Sequence, residues 1–150
     1  MVAPFPHHYT VSVNRTGPGR AELDAPPRPT LQGGPPPEFG GVAETWSPEH
    51  LLLSAVGLCL ETTFDGLARR DGLVVERVRV AMRGDVDRTA AGLAFTSITA
   101  NLEIVTDEAS VERARAVVNR ARHCLVSASL RVPVDVVATV TAVDTARMSA

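Results

Sequence analysis

The chain has two cysteines, Cys59 and Cys124, and their sulfurs are the most reactive side-chain atoms in the sequence. The thiolate is the nucleophile in cysteine chemistry, so the surroundings of each sulfur decide whether it can react. Cytosolic disulfides are usually transient, which favours reactive over structural cysteines in a reducing compartment. A buried cysteine can also serve as a small hydrophobic residue, and both interpretations are open at this point.

Cys59 lies in a segment predicted to form a buried helix. Ser47 is suited to the N-cap and Pro48 to the first helical position, which predicts a helix over residues 48–70. The stretch 51–60 within it is apolar on all sides. A helix that is apolar all round is normally enclosed by other elements, so we expect this one to be central to the fold.

Cys124 is predicted to lie on the inner face of a second helix. Thr106 or Asp107 can cap this helix. Apolar side chains then recur at spacings of three or four and form one stripe, made of Val111, Ala114, Val117, Val118, Ala121 and Cys124. Cys124 is therefore expected to face inward, and it can meet Cys59 only through helix–helix packing.

The remaining segments read as strands and loops. Alternation predicts a strand over residues 8–13, followed by a short partner strand at 20–24 and one more at 30–32 within the proline- and glycine-rich loop 25–41. Two further strands, 77–83 and 98–104, are predicted to form a hairpin linked through residues 84–92, and a final strand covers 132–140. Residues 144–150 read as a flexible tail.

This element order predicts a single α+β domain spanning residues 1–150, with short flexible termini and a core from 9 to 143. Two helices this apolar need cover on several sides, and the few strands of one chain supply little of it. We therefore expect a homodimer in which two long central helices pack against antiparallel sheets.

Composition excludes several other classes of function. The net charge is -2 and the pI near 6.1, and the basic residues form no stripe, which argues against a nucleic-acid partner. There is no lysine, so Schiff-base chemistry is excluded. The histidines and cysteines lack the spacings of a metal site. The longest apolar run is about half of the roughly 20 residues that span a bilayer, and the N-terminus does not resemble a signal peptide, so we expect a cytoplasmic protein without a membrane partner.

Two motifs resemble those of the OsmC/Ohr family, the osmotically inducible and organic hydroperoxide resistance proteins. The first is WSPEHLLLSAVGLC, in which Glu49 precedes Cys59 by ten residues, and the second is CLVSASLRVPV, which starts at Cys124. The resemblance extends over residues 9–143. Leu125 stands where many members have proline after the second cysteine. The segment RRDGL at residues 69–73, after the first helix, resembles the broad OsmC-like branch more than the dedicated organic hydroperoxide branch.

The resemblance implies an intertwined homodimer with active sites at its interface. It also implies a thiol-dependent peroxidase that reduces organic hydroperoxides to alcohols, with Cys59 as peroxidatic cysteine, a Cys59 sulfenic acid, and a disulfide to Cys124 as resolving cysteine. An arginine from the N-terminal sheet, held by Glu49, would ionise the Cys59 thiol. Arg20, after the Gly-Pro-Gly turn, is the first choice and Arg15 the second.

The same resemblance implies an external dithiol reductant, of which a dihydrolipoyl group is the family's example, and neither cofactor nor metal. The alternative is a non-enzymatic protein of the OsmC fold that binds a small hydrophobic ligand, with cysteines that only pack.

Overall fold

The computed structural model describes residues 4–143, and the chain in it divides into two compact units, one ending at Leu51 and the other beginning at Leu52. Each unit contains one three-stranded sheet. Helices and strands together confirm the predicted α+β class. The predicted flexible tail, residues 144–150, lies outside the described residues.

The first unit contains an antiparallel sheet of β1 (Ser12–Gly17), β2 (Arg20–Asp24) and β3 (Leu31–Gly33), in that order. The predicted partner strand at 20–24 is confirmed. The predicted strand at 8–13 is wrong in its bounds, because β1 starts four residues later. β2 ends at Asp24, opposite Ser12, and two prolines follow shortly, so residues 8–11 have no strand to pair with.

Helix α1 (Pro48–Arg70) begins and ends where the sequence indicates. Ser47 Oγ accepts the backbone N–H of His50 at 3.2 Å, which confirms Ser47 as the N-cap residue. Gly72, with φ of 63°, follows the last turn. The expected burial of residues 51–60 on all sides is confirmed only in part, since Val56 is fully buried whereas Leu58 is 64% exposed.

Within residues 4–143, α1 is long and apolar enough to cross a membrane, by length and composition alone. Core helices of soluble proteins meet the same criterion, and a single helix of this kind is weak evidence for a membrane span. Leu60 and Phe64 on α1 are fully buried within the second unit.

The second unit contains a sheet of β4 (Val75–Thr89), β5 (Gly92–Thr106) and β6 (Val134–Ala142). β4 and β5 form the predicted hairpin, but the predicted link over 84–92 is wrong, because only residues 90 and 91 lie between the strands. Gly84 lies within β4 and pairs with Ile98 of β5. Glycine is needed there because a Cβ would lie 2.5 Å from the Phe95 ring, which crosses the strand at this point.

β6 runs parallel to β5, so this sheet is mixed and not antiparallel throughout as expected. The connection between the two strands contains helices α2 (Val111–Ala121) and α3 (Leu125–Ala128). Such a crossover returns the chain to the end of the sheet where β5 began, which makes the next strand parallel.

The second helix differs from its prediction at both ends. It starts after a 3-10 turn, Glu108–Ser110, in which Ser110 Oγ donates to the Asp107 carboxylate at 2.8 Å. It ends at Ala121, before Cys124, which has the extended dihedral angles φ -70° and ψ 157°. The apolar stripe in the sequence thus extends to Cys124, three residues beyond the end of the helix.

The core of the second unit lies on one face of its sheet. Alternate residues of β5 point to this face, and both long helices cover it. The buried cluster comprises Leu60, Phe64 and Ala68 of α1, Ala100, Leu102 and Ile104 of β5, Ala114, Val117, Val118 and Ala121 of α2, Val136 and Val140 of β6, and also Leu73 and Cys124.

Candidate active site

The two cysteines meet in the second unit, although 64 residues separate them in the chain. Cys59 lies midway along α1 and is partly exposed, whereas Cys124 precedes α3 and is 2% exposed. The backbone N–H of Val126 donates to Cys59 Sγ at 3.4 Å, and the Cys124 side chain interacts directly with the Cys59 thiol. Both cysteines are free thiols.

The surroundings of Cys59 act on its ionisation in opposite directions. Burial raises the pKa of the Cys59 thiol above its ordinary value, and the neighbouring Cys124 thiol raises it further. The Val126 amide and the Thr63 side chain lower this pKa by hydrogen bonding to the sulfur. Burial has the largest effect and the pKa is raised overall, so this environment alone keeps the Cys59 thiol protonated at neutral pH.

Cys124 has its own polar neighbour. Its Sγ lies 3.0 Å from Ser127 Oγ, a hydrogen-bonding distance for either donor. Otherwise it belongs to the apolar cluster that includes Leu60 and Phe64, and Cys59 packs against the same cluster.

The sequence did not identify Val126, Ser127 or Thr63 as part of this site. Thr63 follows Cys59 by four residues, which places the two on one helix face and was a usable signal. Val126 acts through its backbone, which no sequence motif reveals. Ser127 could have been found only by recognising the short helix α3, whose N-cap is Cys124.

Arg15 and Arg20 lie in the first unit, on neighbouring strands of its sheet, and both are exposed. Arg15 is opposite Ala21, and Arg20 is the residue before Ala21 in β2. Opposite residues share a face and adjacent residues alternate, so the two arginines project from opposite faces of this sheet. Arg15 shares its face with Leu23, and Arg20 shares the other with Glu22.

Glu49 is the second residue of α1 and is partly buried. Its Oε2 atom is fully buried and has no hydrogen-bond partner among the residues that the structure describes. Buried carboxylate oxygens normally accept a hydrogen bond, so this atom is placed to receive a donor such as a guanidinium.

No group of three or more histidine, cysteine or acidic side chains within residues 4–143 is arranged to hold a metal ion. The cysteine site itself offers two neighbouring free thiols.

Comparisons with known proteins agree with the fold. An OsmC-like protein from Vibrio cholerae, described as of unknown function, has a TM-score of 0.81 at 13% identity, over 89% of this chain and 100% of that one. An organic hydroperoxide resistance protein from Elizabethkingia anophelis has a TM-score of 0.71 at 16% identity, over 93% and 100%. Another organic hydroperoxide resistance protein, from Legionella pneumophila and also described as a predicted redox protein, has a TM-score of 0.67 at 22% identity, over 91% of this chain and 99% of that one.

These identities are low, so the structural likeness establishes the fold and nothing finer. No curated protein sequence matches the chain. The family assignment comes from the model of the OsmC-like proteins, which matches residues 41–138 and so covers well over half of the sequence, including both cysteines. The chain therefore belongs to the OsmC-like protein family, as the two cysteine motifs predicted.

Proposed function

We propose that this protein is a two-cysteine thiol peroxidase that reduces organic hydroperoxides to alcohols. The observation that carries the proposal is the meeting of Cys59 and Cys124, one thiol partly exposed and the other buried beside it. The partly exposed thiol can meet a peroxide, and the buried one can react only with a group formed on its neighbour. Membership of the OsmC-like family supports the same reading.

In the proposed first step the Cys59 thiolate attacks the outer oxygen of the hydroperoxide. The O–O bond breaks, the alkoxide leaves and takes up a proton to become the alcohol, and Cys59 becomes a sulfenic acid. In the second step Cys124 attacks the sulfenic sulfur, hydroxide leaves as water after protonation, and a disulfide forms. An external dithiol then returns both thiols, and a dihydrolipoyl group is our candidate.

Arg20 is proposed to supply the positive charge that the Cys59 thiolate needs, with Glu49 holding the guanidinium. The need for a cation follows from the raised pKa of Cys59, whose first cause is burial. The unpaired Glu49 oxygen supports an arginine at that carboxylate. Arg15 and Arg20 project from opposite sheet faces, so separate alanine substitutions distinguish them. Replacing the arginine that stabilises the thiolate should raise the pKa of Cys59, measured from the pH profile of alkylation. Replacing the other arginine should leave this pKa unchanged.

We further propose that the protein is a cytoplasmic homodimer with a single domain per chain. Leu58 is an exposed apolar side chain within the apolar stretch 51–60 of helix α1, and this exposure supports a second copy as its cover.

Hydroperoxide consumption by cysteine variants tests the proposed activity. Cys59→Ser should abolish turnover, because a serine hydroxyl supplies almost no anion at neutral pH. Cys124→Ser should complete one turnover and accumulate sulfenic acid, which dimedone labels after a stoichiometric pulse of cumene hydroperoxide. Equal consumption by wild type and Cys59→Ser would refute the peroxidase and leave the alternative, a ligand-binding protein whose cysteines only pack.

A further inference from the structure

Ser127 forms a close contact with the buried thiol of Cys124. The Oγ and Sγ atoms are 3.0 Å apart, and Ser127 lies in α3, the short helix whose N-cap residue is Cys124. Cys124 is 2% exposed and is surrounded by the apolar cluster. Although it occupies the N-cap position of α3, its sulfur caps no backbone amide there. The serine hydroxyl is thus a side-chain hydrogen-bond partner of this sulfur, beside the neighbouring Cys59 thiol.

The direction of this hydrogen bond depends on the state of the sulfur. A thiol can donate to the hydroxyl or accept from it, whereas a thiolate has no proton and can only accept. When Cys124 ionises, Ser127 must therefore donate, and a hydrogen bond to a charged acceptor is stronger than a neutral one. A buried anion needs a hydrogen-bond donor in place of its lost hydration, and the Ser127 hydroxyl lies within hydrogen-bonding distance of this sulfur.

We propose that Ser127 is a catalytic residue of the resolving step, whose hydroxyl stabilises the Cys124 thiolate as it attacks Cys59. In that step the Cys124 sulfur forms a bond to the Cys59 sulfur, the sulfenic S–O bond breaks, and hydroxide leaves and is protonated to water. The hydroxyl donates a hydrogen bond throughout and is not consumed. This inference rests on the proposed function, because it assigns a residue to its second step.

The test uses dithiobis(nitrobenzoate), a chromogenic aromatic disulfide, and needs no peroxide. The Cys59 thiolate attacks the reagent and releases one aromatic thiolate, leaving a mixed disulfide on Cys59. The Cys124 thiolate then attacks the Cys59 sulfur and releases the second aromatic thiolate, so the second phase of colour reports the attack by Cys124. The Cys124→Ser variant, which lacks this phase, identifies it.

Ser127→Ala should slow the second phase without changing the first. Loss of a hydrogen bond to a charged sulfur makes the thiolate about tenfold scarcer. A more basic thiolate is also the better nucleophile, so the net slowing near pH 7 should be about threefold. The slowing should diminish as pH rises, because a thiolate then forms more readily with or without the hydroxyl donor.

Matched variants separate this role from simple packing. Ser127→Thr keeps a hydroxyl and should retain the wild-type second phase. Ser129→Ala removes a nearby hydroxyl that donates to the Leu125 carbonyl at 2.9 Å, and it should leave both phases unchanged. A slowing of the same size at every pH would assign Ser127→Ala a packing effect and overturn the proposal.

An unchanged second phase in Ser127→Ala would also overturn it. Failure of the proposed function has a different signature: a wild-type protein that shows both colour phases but consumes no cumene hydroperoxide. In that case the role of Ser127 in thiol exchange would still be measured by the second phase.

Discussion

Thr63 offers the cleanest perturbation of the Cys59 thiol, because a neighbouring threonine provides a control. The Thr63 side chain hydrogen-bonds to the Cys59 sulfur and lowers the pKa of the thiol, opposing the larger rise caused by burial. Thr62 Oγ1 instead donates to the carbonyls of Leu58 and Cys59, at 2.9 and 3.3 Å. Valine keeps the shape of threonine and removes only the hydroxyl, so Thr63→Val and Thr62→Val are a matched pair.

The expected effect is small but measurable. A hydrogen bond of this kind contributes about 0.5–1.5 kcal/mol net, and the lower part of that range applies because Cys59 is partly exposed to solvent. A loss of about 0.7 kcal/mol from the thiolate form raises the pKa of Cys59. Below that pKa, the thiolate fraction falls about threefold, since each unit changes it tenfold.

The assay is the rate of iodoacetamide alkylation against pH, followed by intact-mass spectrometry. A Cys124→Ser background leaves Cys59 as the only thiol. The rate should rise with pH in every protein, because only the thiolate reacts. The Thr63→Val profile should be displaced to higher pH, with an alkylation rate about threefold lower near pH 7. The Thr62→Val profile should match its parent. No displacement for Thr63→Val, or an equal one for Thr62→Val, would refute the assignment of the hydrogen bond.

Three further predictions concern stability and assembly. Phe64→Ala, at a fully buried position, should lower the free energy of unfolding in urea by about 3–5 kcal/mol, and a loss below about 1 kcal/mol would contradict the described core. Arg120 lowers the pKa of Asp71, chiefly by hydrogen bonding to its carboxylate. This interaction adds stability above the ordinary carboxyl range near pH 4, and that stability is lost as pH falls through the lowered pKa. Arg120→Ala should therefore flatten the acid limb of thermal stability, and an unchanged limb would exclude a contribution from this pair. Leu58→Glu should convert the proposed dimer into a species near 15.9 kDa in sedimentation velocity, whereas a wild-type protein already sedimenting at that mass would refute the dimer.

The sequence predicted the elements that carry strong local signals. Ser47 and Pro48 set the start of α1 because an N-cap acceptor and a proline without an N–H both fit a helix terminus. The family motifs located Cys59 and Cys124 and, through the family, the fold. The two cysteines meet because α1 and the turn after α2 pack on the same face of one sheet.

Other features depend on tertiary contacts that no local pattern records. Gly84 reads as a turn residue, yet it lies within β4. Its lack of a side chain leaves room for the Phe95 ring, a contact with a residue of the next strand. The stripe ending at Cys124 has helical spacing, yet the helix stops at Ala121 and the chain becomes extended at the cysteine. That break places the Val126 amide against Cys59 and Ser127 against Cys124. The polar contacts of the site therefore lie in the segment where the apolar spacing wrongly predicted a continuous helix.

The parallel pairing of β6 with β5 also depends on the tertiary fold and was not predicted from the local pattern. Alternation along residues 132–140 predicts a strand but does not give its direction, which is set by the crossover through α2 and α3.

The proposed function requires that Cys59 and Cys124 form a redox pair in response to a hydroperoxide. Intact-mass spectrometry and peptide mapping of the reduced protein, after one equivalent of cumene hydroperoxide, test it most directly. The protein should lose two hydrogens per chain and yield a single cross-linked peptide pair containing Cys59 and Cys124, and dihydrolipoamide should reverse both changes. A protein that keeps both thiols free under this pulse, or that accumulates Cys59 sulfenic acid with Cys124 still reduced, would contradict it.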